Sequence, residues 1–490
     1  MPGSVLIANR GEIALRIIRT CRDLGLRTIA VYSPIDRMAL HVTQADEAYP
    51  LPGDPPTQSY LNIPALLDVA ARAKVQSVHP GYGFLAENAT FASACESAGL
   101  RFVGPPSASL ALCGDKAQTR ERVAAAGVPL LPGTGPLSDD AIPAAADRVG
   151  FPLLVKAVAG GGGKGIHLVR TPHDLLAAVR LARGEAKSAF GDNRLYLERW
   201  LDGARHVEIQ LLAERSGQIH VLGERDCTIQ RRHQKLIEES PAPGLAPALR
   251  ARMAEAAIAA ARAVGYENAG TIEFLVSGDA FYFLEVNARL QVEHPVTELV
   301  TGLDLVAEQL RIARGEPANP ALAQVRSVGH ALECRISAED PHEGFLPASG
   351  VIEDVIEPAG PWVRLDRGIY GGMRVTHHYD PLLAKVITWA PTREGAIARM
   401  RRALKEMAVA GLPTTLPFHR WVLDEQDFRA GRPGPHLVDR WEKRPHRADE
   451  ERLAVLVAAA LTELEARRMA FPPPAADSPW ARAAREEGLR

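Results

Sequence analysis

The stretch GTIEFLVSGDAFYFLEVNARLQVEHP, Gly270 to Pro295, decides how the chain is read. Gly278 and Asp279 separate two β-rich runs and so mark a hairpin. Glu273 and Glu285 are equidistant from residue 279. A three-residue loop sets them opposite each other on one face, whereas a two-residue loop splits them between faces. Two opposed carboxylates repel unless a divalent cation lies between them. Asn287, two residues past Glu285, shares its face and adds a third oxygen ligand. Glu285, Asn287, Arg289, Gln291 and Glu293 then alternate with Val286, Ala288, Leu290 and Val292. On a continuing strand this alternation puts the polar row on one face, with Glu293 roughly 13 Å beyond Glu285. A solvated edge strand accepts Thr, Ser or Lys anywhere in such a row. An ordered acid–amide–cation–amide–acid series facing Glu273 points instead to a metal and catalytic face.

Upstream, PLLVKAVAGGGGKGIHLVR places Gly160, Gly161, Gly162, Gly163, Lys164 and Gly165 between two strand-like segments. A phosphate P-loop requires Gly-Lys-Ser/Thr opening into a helix. Here Lys164 is followed by Gly165 and β-rich residues, so that reading fails. A glycine hairpin whose backbone N–H groups fold over a polyphosphate fits better, with Lys156 on the preceding strand supplying a point charge.

The segment ERDCTIQRRHQKLIEE sets Arg225, Arg231, Arg232, His233 and Lys235 among acidic residues. Arg225, Arg231 and Arg232 read equally well as a salt-bridged surface. His233 and Lys235 alternate, which suits a small anion or a nucleotide phosphate. In ALECRISAED, Arg335 lies in an apolar strand and needs an anionic partner, either Glu333 or Glu339 or a substrate. Cys227 and Cys334 read as small buried residues.

The first ~110 residues alternate strand and helix patterns, as in a parallel α/β unit. VLIA from Val5 is a buried strand, and GEIALRIIRTCRDLG is a helix with Ile13, Ile17, Cys21 and Leu24 on one face. The turn between them, ANRGEI, lacks the G-x-G-x-x-G of a dinucleotide site. HPGYGFLAEN (His79 to Asn88) is either a left-handed turn or a ligand loop. From His330 short strands dominate up to a helix expected over Ala396–Ala410, and an Ala-rich amphipathic helix (Glu450 to Arg468) is expected in a linker or docking tail.

Composition narrows the function classes. The 57 Lys and Arg nearly balance 59 Asp and Glu in 490 residues, which disfavours a nucleic-acid binder. Five scattered cysteines without a C-x-x-C pair argue against a disulfide framework or a thiolate zinc site. With no signal-peptide pattern and no apolar run of bilayer length, a cytoplasmic protein that does not engage the membrane is expected.

Taken in order, IANRGEIALRI, HPGYGFLAEN, GDK with Lys116, KAVAGGGGKG, RHVEIQ, ERDCTIQRRHQK, EVNARLQVEHPVTE, ECRISAED and YDPLLAKV resemble the biotin carboxylase component of biotin-dependent carboxylases. The resemblance covers roughly residues 4–440. It implies an α/β fold: a Rossmann-like pre-ATP-grasp domain over 1–113, an ATP-grasp domain over 114–329 with a lid at about 131–203, a β-rich C-terminal domain over 330–446, and a tail over 447–490. By the same resemblance Lys116, Lys156, His206, Gln230 and His233 contact ATP, the Gly160–Gly165 lid closes on its phosphates, and the Glu198–Leu201 hinge holds adenine. Glu273, Glu285 and Asn287 carry two Mg²⁺ or Mn²⁺ ions. Lys235, Arg289, Gln291 and Val292 contact bicarbonate, Glu293 is the general base, and Arg335 stands beside the biotin ureido oxygen. Ile166–His167 replaces the Met-Arg common after the lid in relatives. Without an M-K-M attachment sequence, the expected partners are a separate biotin carboxyl carrier protein and carboxyltransferase subunits. Acetyl-CoA carboxylase, and so fatty acid biosynthesis, is the expected setting, and a homodimer the family expectation. A pyruvate or other acyl-CoA carboxylase subunit is the alternative, and a non-catalytic nucleotide-binding regulator a further one.

Overall fold

The computed structural model describes residues 3–158, 165–317 and 319–444, and beyond them only 462, 463, 479, 483, 486 and 487. The tail helix expected over Glu450–Arg468 therefore falls almost wholly outside the described residues. Contacts separate Met1–Glu442 from Lys443–Arg490 as two units.

The N-terminal strands β1 (Ser4–Ile7), β2 (Arg27–Tyr32), β3 (Glu47–Pro50), β4 (Ser77–His79) and β5 (Arg101–Phe102) form one sheet in the order β3-β2-β1-β4-β5. Every pairing is parallel. Val5, Leu6 and Ile7 are buried, as a strand covered on both faces requires. Helix α1 (Gly11–Asp23) buries Ile13, Ile17 and Cys21, while Leu24 falls just past its end at 36 % exposure. Gly11 opens α1 at φ 65°, a conformation that favours glycine. HPGYGFLAEN is a left-handed turn in geometry, with Gly81, Gly83 and Phe84 all at positive φ. It is also tied down, because Asn9 Nδ2 donates to the carbonyls of Pro80 and Tyr82, each at 2.7 Å.

A small antiparallel sheet follows, with β6 (Leu153–Ala157) between β7 (Ile166–Val169) and β8 (Leu195–Arg199). It packs its own apolar cluster, Leu153, Val155, Val169, Leu195 and Leu197 among its members.

The large sheet holds the site. Its strands are β9 (Arg205–Ala213), β10 (Ile219–Arg231), β11 (Gln234–Ser240), β12 (Asn268–Ser277), β13 (Ala280–Asn287), β14 (His330–Ser337), β15 (Val363–Arg367) and β16 (Leu382–Ala390). Their order is β13-β12-β9-β10-β11-β14-β16-β15. β11 pairs directly with β14, so a single sheet runs across residues 329 and 330. The helix Arg393–Glu406 covers one face with Ile397, Met400, Ala403 and Leu404. It ends short of the expected Ala410, because Ala408–Ala410 turns into a strand that pairs with Asp354–Ile356.

The β12–β13 hairpin differs from both sequence alternatives. Its turn is only Gly278–Asp279, with Ser277 paired to Ala280, yet Glu273 is still opposite Glu285. The register slips between Glu273 and Phe274, where Phe274 pairs with Phe283, leaving Leu284 as the extra residue. A β-bulge thus restores the alignment that a two-residue turn alone would break. Phe274 stacks edge-on against Phe281 at 5.3 Å, which anchors the hairpin in the main core.

Candidate active site

Four strands bring one row of charge into register. Glu285 on β13 is opposite Glu273 on β12, Glu273 is opposite Glu208 on β9, and Glu208 is opposite Arg225 on β10. Directly opposed partners share a face, so three carboxylates stand side by side. Cations hold them together. Lys235 Nζ lies 2.6 Å from Glu208 Oε2, 2.8 Å from Glu273 Oε1 and 2.7 Å from Glu293 Oε1. His206 Nε2 is 2.9 Å from the other oxygen of Glu273. Arg225 is fully buried, donating to Glu208, Gln210, Thr271 and Thr297, so it is no surface residue. Of its neighbours, Arg231 pairs with Glu442, while Arg232 and His233 form the exposed β10–β11 turn at positive φ. His233 therefore does not alternate with Lys235 along a strand.

The polar ladder also departs from a straight strand. β13 ends at Asn287, and residues 288–293 turn into the helix His294–Thr301. β13 is the sheet's edge, so no further strand extends it. Pro295 in the first helical turn pre-sets helical geometry there. The turn folds the row back onto the site. Arg289 donates to Gln291 Oε1 at 2.8 Å and Asn287 Oδ1 at 3.2 Å, and pairs with Glu87 at 3.3 Å. Gln291 Nε2 donates to Glu273 Oε1 at 3.3 Å. Glu293 reaches the same lysine as Glu273 instead of standing a strand's length away. Gln291 and Glu293 are buried, the reverse of a solvated face.

Arg335 pairs with Glu238 at 2.5 Å and Glu293 at 2.8 Å, not with Glu333 or Glu339. Glu333 lies on the same strand but is opposite Glu238, and Glu339 belongs to a separate two-stranded pairing. Burial alone would raise the Glu293 carboxyl, but Lys235, Arg335 and Arg225 hold it well below the usual carboxylate range. Burial likewise opposes protonation of His206, and Glu273 reverses this. Cys227 and Cys334 are buried, and burial pushes both thiols up.

Two nucleotide-side candidates, Lys156 on β6 and Glu198 on β8, pair with each other on the small sheet. Lys156 Nζ lies 2.9 Å from Glu198 Oε2, and Arg120 grips the other oxygen at 2.5 Å. Burial would depress the Lys156 ammonium, but Glu198 and Tyr196 carry it up to about 12. Leu201 lies just past β8, partly exposed. Gln230 Nε2 is 3.2 Å from His206 Nδ1. Lys116 Nζ sits 3.2 Å from Glu285 Oε2, with Glu285 still 38 % exposed. Gly160 to Gly163 and Lys164 lie outside the described residues. Gly165 is described, and its N–H donates to Glu185 at 3.1 Å.

Glu273, Glu285 and Asn287 offer only oxygen atoms, the donor set of a hard divalent cation. Lys116 already brings positive charge to Glu285, and Lys235 and His206 bring it to Glu273. A second cluster, His206, Glu208 and Glu273, has its ligand atoms within 4.8 Å of one another and shares Glu273 and Lys235 with the first.

Glu208, Glu238, Arg120 and Glu87 are not singled out by the sequence as parts of this site. For Glu208 a signal exists: His206, Glu208 and Gln210 alternate with Val207, Ile209 and Leu211, the period already used for the ladder. Glu87 and Arg120 come from distant segments and leave no local mark.

This geometry, an acid row on an antiparallel sheet with a lysine–glutamate clasp, is that of an ATP-grasp ligase. Residues 1–110 match the biotin carboxylase N-terminal domain, 115–320 the carbamoyl-phosphate synthase L chain ATP-binding domain, and 333–440 the biotin carboxylase C-terminal domain. The chain is 47 % identical to a Nostoc biotin carboxylase, covering 90 % of this chain and 99 % of that protein. It is 46 % identical to a pyruvate carboxylase subunit from Methanothermobacter thermautotrophicus, covering 90 % of this chain and 91 % of that protein. The biotin carboxylase domain dimer of Hydrogenobacter thermophilus 2-oxoglutarate carboxylase, solved with MgADP, ADP and bicarbonate, superposes with a TM-score of 0.87 at 42 % identity over 91 % and 100 %. The chain belongs to the biotin carboxylase family and is an ATP-dependent ligase. No helix among the described residues is long and apolar enough to cross a membrane.

Proposed function

We propose that the chain carboxylates biotin on a separate carrier protein, using ATP and bicarbonate, within the domain division 1–113, 114–329 and 330–446. The observation that carries this reading is the convergence of Lys235, Glu273, Glu293 and Arg335 through contacts of 2.7–2.8 Å. A nucleotide-binding regulator has no need of a buried base clasped between two anion-binding cations.

Lys116, Lys156, His206, Gln230 and His233 engage ATP, with the Glu198–Leu201 hinge at the base and Gly160–Gly165 over the phosphates. Glu273, Glu285 and Asn287 hold Mg²⁺ or Mn²⁺, which neutralises charge on the transferring phosphoryl group. Lys235, Arg289, Gln291 and Val292 orient bicarbonate. In the resting protein Glu293 is so firmly ionised that it is a weak base. Bicarbonate competing for Lys235 releases it, raising its proton affinity as the substrate arrives. Deprotonated bicarbonate attacks the γ-phosphate, ADP leaves as the bond to the β-phosphate oxygen breaks, and carboxyphosphate forms. Its C–O bond then breaks to give CO₂ and phosphate, the phosphate accepts the N1 proton of biotin, and N1 adds to CO₂ to give carboxybiotin. Arg335 stabilises the ureido enolate with charge placed in advance.

For the final acceptor we take acetyl-CoA, delivered through separate carrier and carboxyltransferase subunits, with this chain as a homodimer. The similarity to a pyruvate carboxylase subunit favours pyruvate as a second reading. The test is phosphate release from ATP with Mg²⁺ and bicarbonate, with and without free biotin, followed by transfer from a carboxylated carrier to acetyl-CoA or pyruvate. Biotin stimulation is expected, and ATP binding without it supports the regulator.

A further inference from the structure

The end of the large sheet beyond Arg335 carries charge that the proposed chemistry does not use. Arg335 on β14 is directly opposite Lys385 on β16, and Lys385 is directly opposite Asp366 on β15. The three therefore share one face. Cys334, Ala384 and Val386 go to the other face and pack in an apolar cluster. Lys385 has no solvent exposure, so its ammonium depends wholly on protein partners.

Its shortest bond is not to an acid. Lys385 Nζ donates to the Val292 carbonyl at 2.8 Å, with Glu12 Oε1 at 3.1 Å and Asp366 Oδ2 at 4.0 Å. Asp366 is already held by Arg364 through bonds of 2.7 and 2.9 Å. Val292 is the residue before Glu293, in the turn that ends β13 and opens the following helix. Glu12 on α1 also accepts from the Tyr82 hydroxyl of the His79–Asn88 loop. One buried ammonium therefore joins α1, that loop and the turn carrying Glu293. Burial lifts Glu12 to about 7 against the pull of Lys385, so a neutral side chain at position 12 suits its surroundings.

We propose that Lys385 is a positioning residue: by fixing the Val292 carbonyl it aims the Glu293 carboxylate between Lys235 and Arg335, without itself touching substrate. The inference rests on Glu293 being the base of the proposed reaction. A purely structural role would rest on the Lys385–Glu12 charge pair, whereas positioning rests on the bond to the carbonyl. The two come apart when both charges are removed.

The experiment uses the full chain as wild type, Lys385→Met and the double variant Lys385→Met/Glu12→Gln, with Gln at position 12 still able to accept from Tyr82. Thermal melting, ATP and bicarbonate kinetics, nucleotide binding and amide exchange over residues 291–296 are measured. The double variant is expected to melt within about 2–4 °C of wild type. Its kcat for bicarbonate-dependent ATP cleavage stays down by about 10–100-fold, the scale of a catalytic group misplaced from a distance. Nucleotide affinity holds, and exchange at 291–296 rises. Recovery of kcat together with melting temperature, or unchanged exchange in that turn, overturns the proposal. If the wild type itself lacks biotin-dependent turnover, the proposed reaction fails. The exchange result then still decides whether Lys385 orders the turn.

Discussion

At position 333 a fully buried carboxyl group has no hydrogen-bond partner for either oxygen among the described residues. It is opposite Glu238, which already serves Arg335. Burial, with Glu238 and Glu293 adding to it, raises Glu333 well above the usual range and outweighs Lys385 and Arg335. The folded chain thus keeps a proton that the unfolded chain releases above a pKa of about 4.3. Stability at this position is undiminished below that pH and falls as pH rises toward the folded-state pKa. Glu333→Gln removes the loss, so its gain in melting temperature should be larger at pH 8 than at pH 5. Scanning calorimetry at both values checks this, and equal gains refute it. Arg335 makes a different prediction at the same scale. Arg335→Ala should depress carboxybiotin formation more than bicarbonate-dependent ATP cleavage, because the enolate forms only in the second step. Parallel assays of ADP and carboxybiotin measure the ratio, and an equal loss of both places Arg335 with Glu293 in the first step.

Among elements, the β12–β13 hairpin makes the most specific claim. Leu284 is the residue that lets a two-residue turn coexist with Glu273 opposite Glu285. Deleting it should remove the bulge and leave Glu285 directly opposite Glu273 on a regular ladder, so Glu285 and Asn287 should keep their face in the deletion variant. The expected outcome is retained metal-dependent ATP cleavage in a chain that still folds, read by calorimetric Mg²⁺ titration with nucleotide and by circular dichroism. Loss of metal binding in a folded deletion variant would show that the opposition of Glu273 and Glu285 is not what places the cation. The hairpin also marks where sequence reading succeeds and stops. Period-two alternation identified the acids, because strand geometry is local. The bulge was not legible, since packing of Phe274 against Phe281 and Phe283 fixes it. The same limit hid the end of β13, where Pro295 and the edge position turn the chain. Partners such as Glu238 for Arg335 depend on strand order, which no local pattern encodes.

Across the whole molecule, α1, the large sheet and its covering helices all lie in Met1–Glu442, with Trp441 buried near its end. A chain ending after Arg444 should therefore retain biotin-stimulated ATP cleavage with free biotin. If the remaining residues dock partners, capture of the carrier or transferase by that shortened chain should fall. Loss of free-biotin activity would instead place the tail within the catalytic unit.

The account stands on ATP-driven carboxylation of biotin. The most direct measurement incubates the protein with ATP, Mg²⁺, free biotin and ¹⁴C-bicarbonate, and counts acid-labile carbon fixed on biotin against ADP formed. The prediction is labelled carboxybiotin that requires all four components and is lost in Glu293→Gln. ADP formed without any fixed carbon, or fixation undiminished in Glu293→Gln, would contradict it.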